Sequence, residues 1–479
     1  MKKIKLIITT AILGLFLFAG CDKGFEETNS NPNDATIVPS SLLIPDVVIL
    51  TENIMYSSFV GMDMGSCWSQ QMAKVNYEEE ERFQVRNSVI EATIWQGMYE
   101  DVISGGKSIE DVAIEEGNDY TRAVGIILQA YGFHVLTDMF GMIPFSEAMD
   151  PSNLQPKYDT QEEVYTGILS MLDTANALLT TGTGTINSAS DILYGGSSTG
   201  WLKFANSLKF RCLMRVSGTS LHSAAALQDI VSNREIFEST ADEAKLIYLD
   251  ADPNANPIYE AIVFRSRFEY KVNEVLVTKL NELNDPRLPV YAQENSDGEY
   301  RGKPSGINAV PSDEWNYDNV SAVGEFYIDP NLPGFFMSYS ELQFLMAEAR
   351  QKGYINTGTA AGYYYAGIEA SFEFNGLSAE YDSYITENAV ILSGTQESAL
   401  KQIAEQNWLG LYCQGIESWT EWRRTGYPVL ALPIEALTTK IPSRYNYPPI
   451  EQSVNSVNYA AAVAAQGADL LTTDIWWMQ

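Results

Sequence analysis

The chain has 479 residues, 45% of them hydrophobic, which is enough to build a sizeable core and excludes global disorder. Its 62 acidic residues outnumber 30 basic ones for a formal charge of −32, which disfavours nucleic acid and a polybasic membrane-surface mode, since both need a basic footprint. Two histidines leave little room for His-based metal or triad chemistry, whereas 27 Tyr and 9 Trp favour a surface that stacks on a ligand.

Lys2, Lys3 and Lys5 make a short basic start, and Leu6 to Ala19 is an apolar run. That run is too short to span a hydrocarbon core as a helix, which takes ~20 residues. Residues 1–20 therefore read as a signal peptide. Ala19-Gly20-Cys21 puts small residues before a cysteine and resembles a bacterial lipoprotein processing site, with Cys21 as the lipid-modified residue. Removing the three lysines leaves 27 basic against 62 acidic residues, or −35. No later stretch reaches ~18 unbroken apolar residues, so the expected attachment is a lipid anchor and not a span. Residues 21–40, with Asn31-Pro32-Asn33, read as a flexible tether, and 41–479 as a single helical domain.

Helical periodicity then dominates. Ser40-Ser41 caps a segment from Leu42 with Pro45 in its first turn. Apolar residues at a period near 3.6 predict helices over 88–116, 120–139, 162–179 and 201–216. Residues 232–333 scatter prolines, glycines and aromatics and read as a loop-rich insertion lobe, apart from a helix near 273–283. Helices resume over 338–352, 357–374 and 397–413, continuing to Arg424. Pro428, Pro433, Pro442, Pro448 and Pro449 mark an irregular tail. Strand signals are short and weak. The expected class is mainly α, with helix pairs stacked like a solenoid; Ala347-Glu348-Ala349 and Ala360-Ala361-Gly362-Tyr363-Tyr364 resemble tetratricopeptide packing.

Chemistry motifs are sparse. Cys67, Cys212 and Cys413 are widely spaced and read as buried free thiols. Gly196-Ser197-Ser198-Thr199-Gly200 matches a nucleophile elbow in letters only, because no strand precedes it. His134 and Asp138, one turn apart, read as a hydrogen-bonded pair. Glu78-Glu79-Glu80-Glu81 reads as a solvated helix start, with a calcium site as the minor alternative. Lys203, Lys209, Arg211 and Arg215 read as neutralisers of nearby carboxylates. No metal site and no cofactor are expected.

Four passages together resemble one family: Cys21 through Asp34; Asp138-Met139-Phe140-Gly141-Met142-Ile143-Pro144-Phe145-Ser146-Glu147-Ala148; Tyr194-Gly195-Gly196 with Trp201 to Arg211; and Trp408 to Trp422 running on to Pro428. The family is that of the SusD/RagB nutrient-binding outer-membrane lipoproteins of Bacteroidetes, in its SusD-like type-two branch. Met142 departs from it, standing where an acidic residue is common. The resemblance implies tetratricopeptide-like helix pairs with an irregular lobe. It also implies a lid that faces the cell exterior, sits on a SusC-like TonB-dependent transporter and delivers a glycan or peptide without catalysis.

Sugar binding needs aromatic faces for C–H surfaces beside polar groups for hydroxyls. The candidates are Trp68, Tyr77, Trp95, Trp315 and Tyr317, with Phe326 and Tyr327 behind them. The early loop and the lobe supply them, as the family often does. The acidic balance favours a neutral oligosaccharide over a peptide, although Arg265, Arg267 and Lys271 make a local basic patch. A surface glycoside hydrolase is the competing class, and it would need two carboxylates ~5–9.5 Å apart.

Overall fold

The structure, a computed structural model, describes residues 38–307 and 314–479. The expected signal peptide, Cys21 and the tether as far as residue 37 lie outside them. Ser40–Gln479 is one compact unit. It is mainly helical. Ser104–Glu116 packs on Asp119–Phe140, which packs on Gln161–Thr181, which packs on Ser198–Arg215. The last meets Tyr339–Gln351, which pairs with Ala360–Phe374 and Gln396–Gly410; Gly415–Thr425 follows and returns against Ser58–Ser66. These antiparallel neighbours form the expected tetratricopeptide-like stack.

Local sequence sets the helix starts. The side chains of Asn118, Ser197, Ser338, Thr359 and Thr395 each accept a bond from a backbone N–H in the first turn. Thr160 and Glu163 form a reciprocal capping box. Each satisfies a donor that the helix itself leaves unpaired. Small residues then let helices touch. A Cβ on Gly125 would stand 2.5 Å from the Gly106 carbonyl, and one on Gly415 would stand 1.9 Å from the Gly61 carbonyl.

Among the described residues the strands form three two-stranded sheets. β1 (Met72–Lys74) pairs with β5 (Tyr270–Val272), β2 (Ile143–Pro144) with β3 (Tyr158–Asp159), and β4 (Ala244–Leu246) with β6 (Gly334–Met337), all antiparallel. The passage from Gly141 to Ala148 is a fold element: Asp159 on β3 accepts from the Phe145 and Ser146 N–H groups at 3.1 and 2.7 Å.

The cations of Ser198–Arg215 neutralise carboxylates, as expected. Arg211 grips Glu341; Arg215 meets Asp138 at 3.2 Å, Glu421 at 3.0 Å, and Glu417. Lys203 pairs with Asp242 at 3.0 Å, and Lys209 pairs with Asp173. His134 and Asp138 are buried 3.6 Å apart and share Tyr165, whose hydroxyl donates to Asp138 at 2.5 Å. Cys67, Cys212 and Cys413 are buried and free.

Two expectations need correction. The acidic run is not solvated: Glu78, Glu80 and Glu81 are buried and only Glu79 is exposed. Glu80 binds Arg86 at 2.6 Å, and Glu81 accepts from the Lys74 backbone N–H at 3.1 Å with Lys303 at 4.0 Å. The tail is not wholly irregular either. After the irregular stretch ending at Pro448, Pro449–Val454 and Ser456–Gln466 are helices, because proline is at home in a first turn.

Glu52 is the least comfortable group in the core. It is fully buried, neither carboxyl oxygen has a hydrogen-bond partner among the described residues, and Tyr56, Tyr131 and Tyr248 lie near it. Burial, opposed by Arg211, pushes its carboxyl from 4.5 up to about 8. A raised carboxyl supports the fold below the unfolded value and opposes it increasingly as pH climbs toward the folded one. Glu52→Gln is therefore expected to stabilise the protein by an amount that is absent near pH 4.5 and grows toward pH 8. The slope is up to about 1.4 kcal/mol per pH unit. Denaturant unfolding at acid and mildly alkaline pH reads it, and a pH-independent difference contradicts it. Separately, Gly415→Ala is expected to cost about 2 kcal/mol or more through backbone overlap, while exposed Gly218→Ala stays within about 0.5 kcal/mol. Equal unfolding curves for both variants would refute the close approach.

Candidate functional site

The β1–β5 pairing builds the candidate site. Its register sets Met72 against Val272, Ala73 against Lys271 and Lys74 against Tyr270. The Val75 N–H adds a bond to the Glu269 carbonyl at 3.0 Å, and the Val272 N–H reaches Ser321 at 3.1 Å. The early loop and the lobe are thereby sewn together edge to edge, although about 200 residues separate them in the chain.

Where they meet lies an open cavity of about 680 Å³. Tyr77, Glu79, Gln84 and Arg86 line it from the early loop, and Arg267 and Glu269 from the lobe. Lys74 closes its floor, buried and paired with Asp63 at 3.0 Å. Arg86 is tied to Glu80 and stacks 5.0 Å from the Phe59 ring centre. Arg267 donates through Nε to Glu269 at 2.7 Å and lies 5.0 Å from the Tyr270 ring centre.

The backbone is unusual here. Gln70, Tyr77, Phe83 and Ser266 are non-glycine residues in the left-handed region, with φ of 55°, 58°, 72° and 55°. Such conformations cost about 1 kcal/mol or more each and persist where surroundings over-determine them, as at ligand sites.

Tyr77 is 59% exposed at this cavity. Tyr317 stands beside it: its hydroxyl is raised above the ordinary value first by burial and then by Glu269 and Tyr77, while a hydrogen bond with the Asn76 side chain works against that rise. The Lys271 ammonium donates to the Tyr317 carbonyl at 2.8 Å and lies 5.7 Å from its ring centre. Burial lowers the Lys271 ammonium below its usual value, Asp318 opposing. Trp315, two residues before Tyr317, is half-buried, with the Arg301 guanidinium 4.3 Å from its ring centre.

The other candidates fall elsewhere. Trp68 is 1% exposed. Phe83, Trp419 and Tyr445 enclose its ring, and its indole N–H donates to the Glu80 carbonyl at 2.8 Å. It is a core residue and offers no face to a sugar, which corrects the expectation for it. Trp95 is also buried, ringed by Tyr99, Phe140, Tyr158 and Tyr447. It touches a different cavity, of about 510 Å³, with Pro144, Met149 and Ile450. Tyr327 is buried against Tyr291 and Tyr412, while Phe326 is partly exposed. Arg86, Gln84 and Glu269 were not legible as site residues, because their only signal is the cross-chain pairing. Among the described residues no group of three or more His, Cys, Asp or Glu is placed to hold a metal ion.

The sequence model of a SusD-like family, described as "Starch-binding associating with outer membrane", matches residues 32–448. The chain belongs to this SusD-like family. Solved structures agree. A chitin-binding SusD homologue from Flavobacterium johnsoniae is 26% identical with a TM-score of 0.80, covering 92% of this chain and 98% of that one. A SusD homologue from Bacteroides fragilis is 27% identical with a TM-score of 0.78, covering 92% and 100%. One from Bacteroides uniformis is 25% identical with a TM-score of 0.80, covering 91% and 99%. No curated protein matches the sequence. The SusD-like family is one of outer-membrane-associated glycan-binding proteins.

In this SusD-like protein Trp68→Ala is expected to cost about 3–5 kcal/mol of folding stability, because it empties an enclosed aromatic site. Exposed Tyr77→Ala is expected to leave stability nearly unchanged. Thermal unfolding compares them; an unchanged melting temperature in Trp68→Ala would contradict its place in the core.

Proposed function

We propose that the chain is a lipoprotein anchored through Cys21 and facing the cell exterior. It binds an oligosaccharide and hands it to a SusC-like TonB-dependent transporter, with no bond broken. The observation that carries this reading is the cavity between early loop and lobe, lined by exposed Tyr77 and flanked by Tyr317. Tyrosine rings cover sugar C–H faces, while Gln84 and Glu79 stand ready for hydroxyls. Membership of the family and the chitin-binding relative support a glycan as ligand. Glu80 and Glu269 are each held in an ion pair with an arginine of the cavity, which favours binding over a hydrolase's pair of working carboxylates.

Glycan and peptide arrays on the purified chain, followed by titration of hits, test the proposal. Saturable glycan binding without product is expected, weakened about tenfold or more in Tyr77→Ala and in Tyr317→Ala. Binding of peptides alone would overturn the ligand class, and released product would overturn the absence of catalysis. Labelled fatty acid is expected to enter the wild-type chain and not Cys21→Ser; label in both would refute the anchor.

A further inference from the structure

A second cavity, of about 310 Å³, adjoins the first and shares one lining residue with it, Arg267. Asn53, Ser57, Ser58, Glu260 and Arg265 also line it. Arg267 thus stands at the junction of a groove with two compartments. Its guanidinium is held from behind by Glu269 and the Tyr270 ring, and its side chain is 31% exposed. Of its five N–H donors only the one on Nε is used within the described residues, so the outer fork is unspent. Arg265 is 67% exposed and reaches Glu260 only at 3.5 Å.

The chain carries twice as many acids as bases, yet two arginines line the second compartment, Arg267 paired with Glu269 and Arg265 with the one lining carboxyl, Glu260. That carboxyl is itself shifted toward its neutral form. Burial first, then a hydrogen bond and repulsion from Asp252, raise Glu260 above its ordinary value. Elsewhere the buried arginines of the helical stack are spent on internal carboxylates. Arg267 is paired with Glu269 through Nε and Arg265 with Glu260, but the terminal N–H groups of Arg267 have no partner among the described residues, and a planar fork fits a carboxylate with two parallel hydrogen bonds.

Resting on the glycan-binding reading, we propose that the groove selects oligosaccharides that carry carboxylates, with a uronic-acid residue seated on Arg267 and Arg265 at the junction of the two cavities. The average charge of the chain points toward neutral ligands, but recognition depends on the groups at contact, and at the junction those include the partly exposed guanidinium groups of Arg267 and Arg265. Tyr77 then stacks a neighbouring sugar ring in the larger compartment, while the serines and Asn53 bond hydroxyls in the smaller one.

The test titrates the full chain, purified in detergent, with short galacturonate, guluronate and glucuronate oligomers, each beside its carboxyl-reduced derivative, and with sulfated oligomers. At least one acidic oligomer is expected to bind about tenfold or more tightly than its reduced partner. Arg267→Gln is expected to erase that preference, so that the acidic oligomer and its reduced partner bind it with affinities within about threefold of each other. Arg265→Gln, at a more exposed position, is expected to weaken the preference and guards against misfolding of the first variant. Equal affinity for acidic and reduced forms, a preference for sulfated oligomers, or equal loss of both forms in Arg267→Gln would overturn the proposal. In the first of these cases neutral-glycan binding would still stand; absence of binding to any sugar would remove both readings.

Discussion

A cluster of buried ion pairs holds the helical stack in register. Arg211 and Arg215, on one helix, reach carboxylates on three others: Glu341, the pair Glu417 and Glu421, and Asp138. Arg424 adds Glu348 and Glu421 at 2.5 and 2.7 Å. Burial alone would raise Glu348, but Arg424 and Lys352 outweigh it and bring its carboxyl down to about 2. Taking so many charges out of water costs several kcal/mol per ion unless every partner is in place. The cluster therefore tolerates only one mutual placement of the early helices and the late ones. Those same elements carry the early loop: Gln71 donates to the Trp408 carbonyl at 2.6 Å, and Trp408 donates to Ser69 at 3.0 Å.

From that frame the site follows as an edge phenomenon. A rigid stack of helices presents irregular segments, and the segments bond to one another through β1 and β5. Scaffold and site divide the labour that loops and regular elements commonly divide, with fixed helices behind and polar, aromatic loops in front. The left-handed Tyr77, Phe83 and Ser266 show how tightly that front is specified. The acidity of the chain has a related logic. Its internal cations are largely paired, and the cations exposed on the cavities, Arg86, Arg265 and Arg267, are each held by a carboxylate of their own.

The residues that misled do so for definable reasons. Glu78, Glu80 and Glu81 carry the composition of a surface, but all three are buried, and the partners of Glu80 and Glu81, namely Lys74, Arg86 and Lys303, include one more than 200 positions away. Trp68 sits in a polar-looking stretch, yet it is enclosed by Trp419 and Tyr445 from the far end of the chain. Pro448 and Pro449 read as part of an irregular tail, yet they stand at the N-cap and the first position of a helix. In each case a local pattern was read without knowledge of what folds over it.

The amino-acid sequence by itself determined the helices, their caps and the family, because a period of 3.6, a Ser or Thr before a turn, and the passages around Phe140, Trp201 and Trp419 are local properties. It also marked Tyr77 and Tyr317 as aromatics in polar loops. Only the tertiary structure decided that these two stand together, that Trp68 and Trp95 are buried, and that Arg86, Arg267 and Glu269 share a cavity. The physical reason is that burial and strand pairing are relations between distant segments. A side chain's exposure is set by which segment lands on it, and no window of sequence around Trp68 or Arg267 contains that segment.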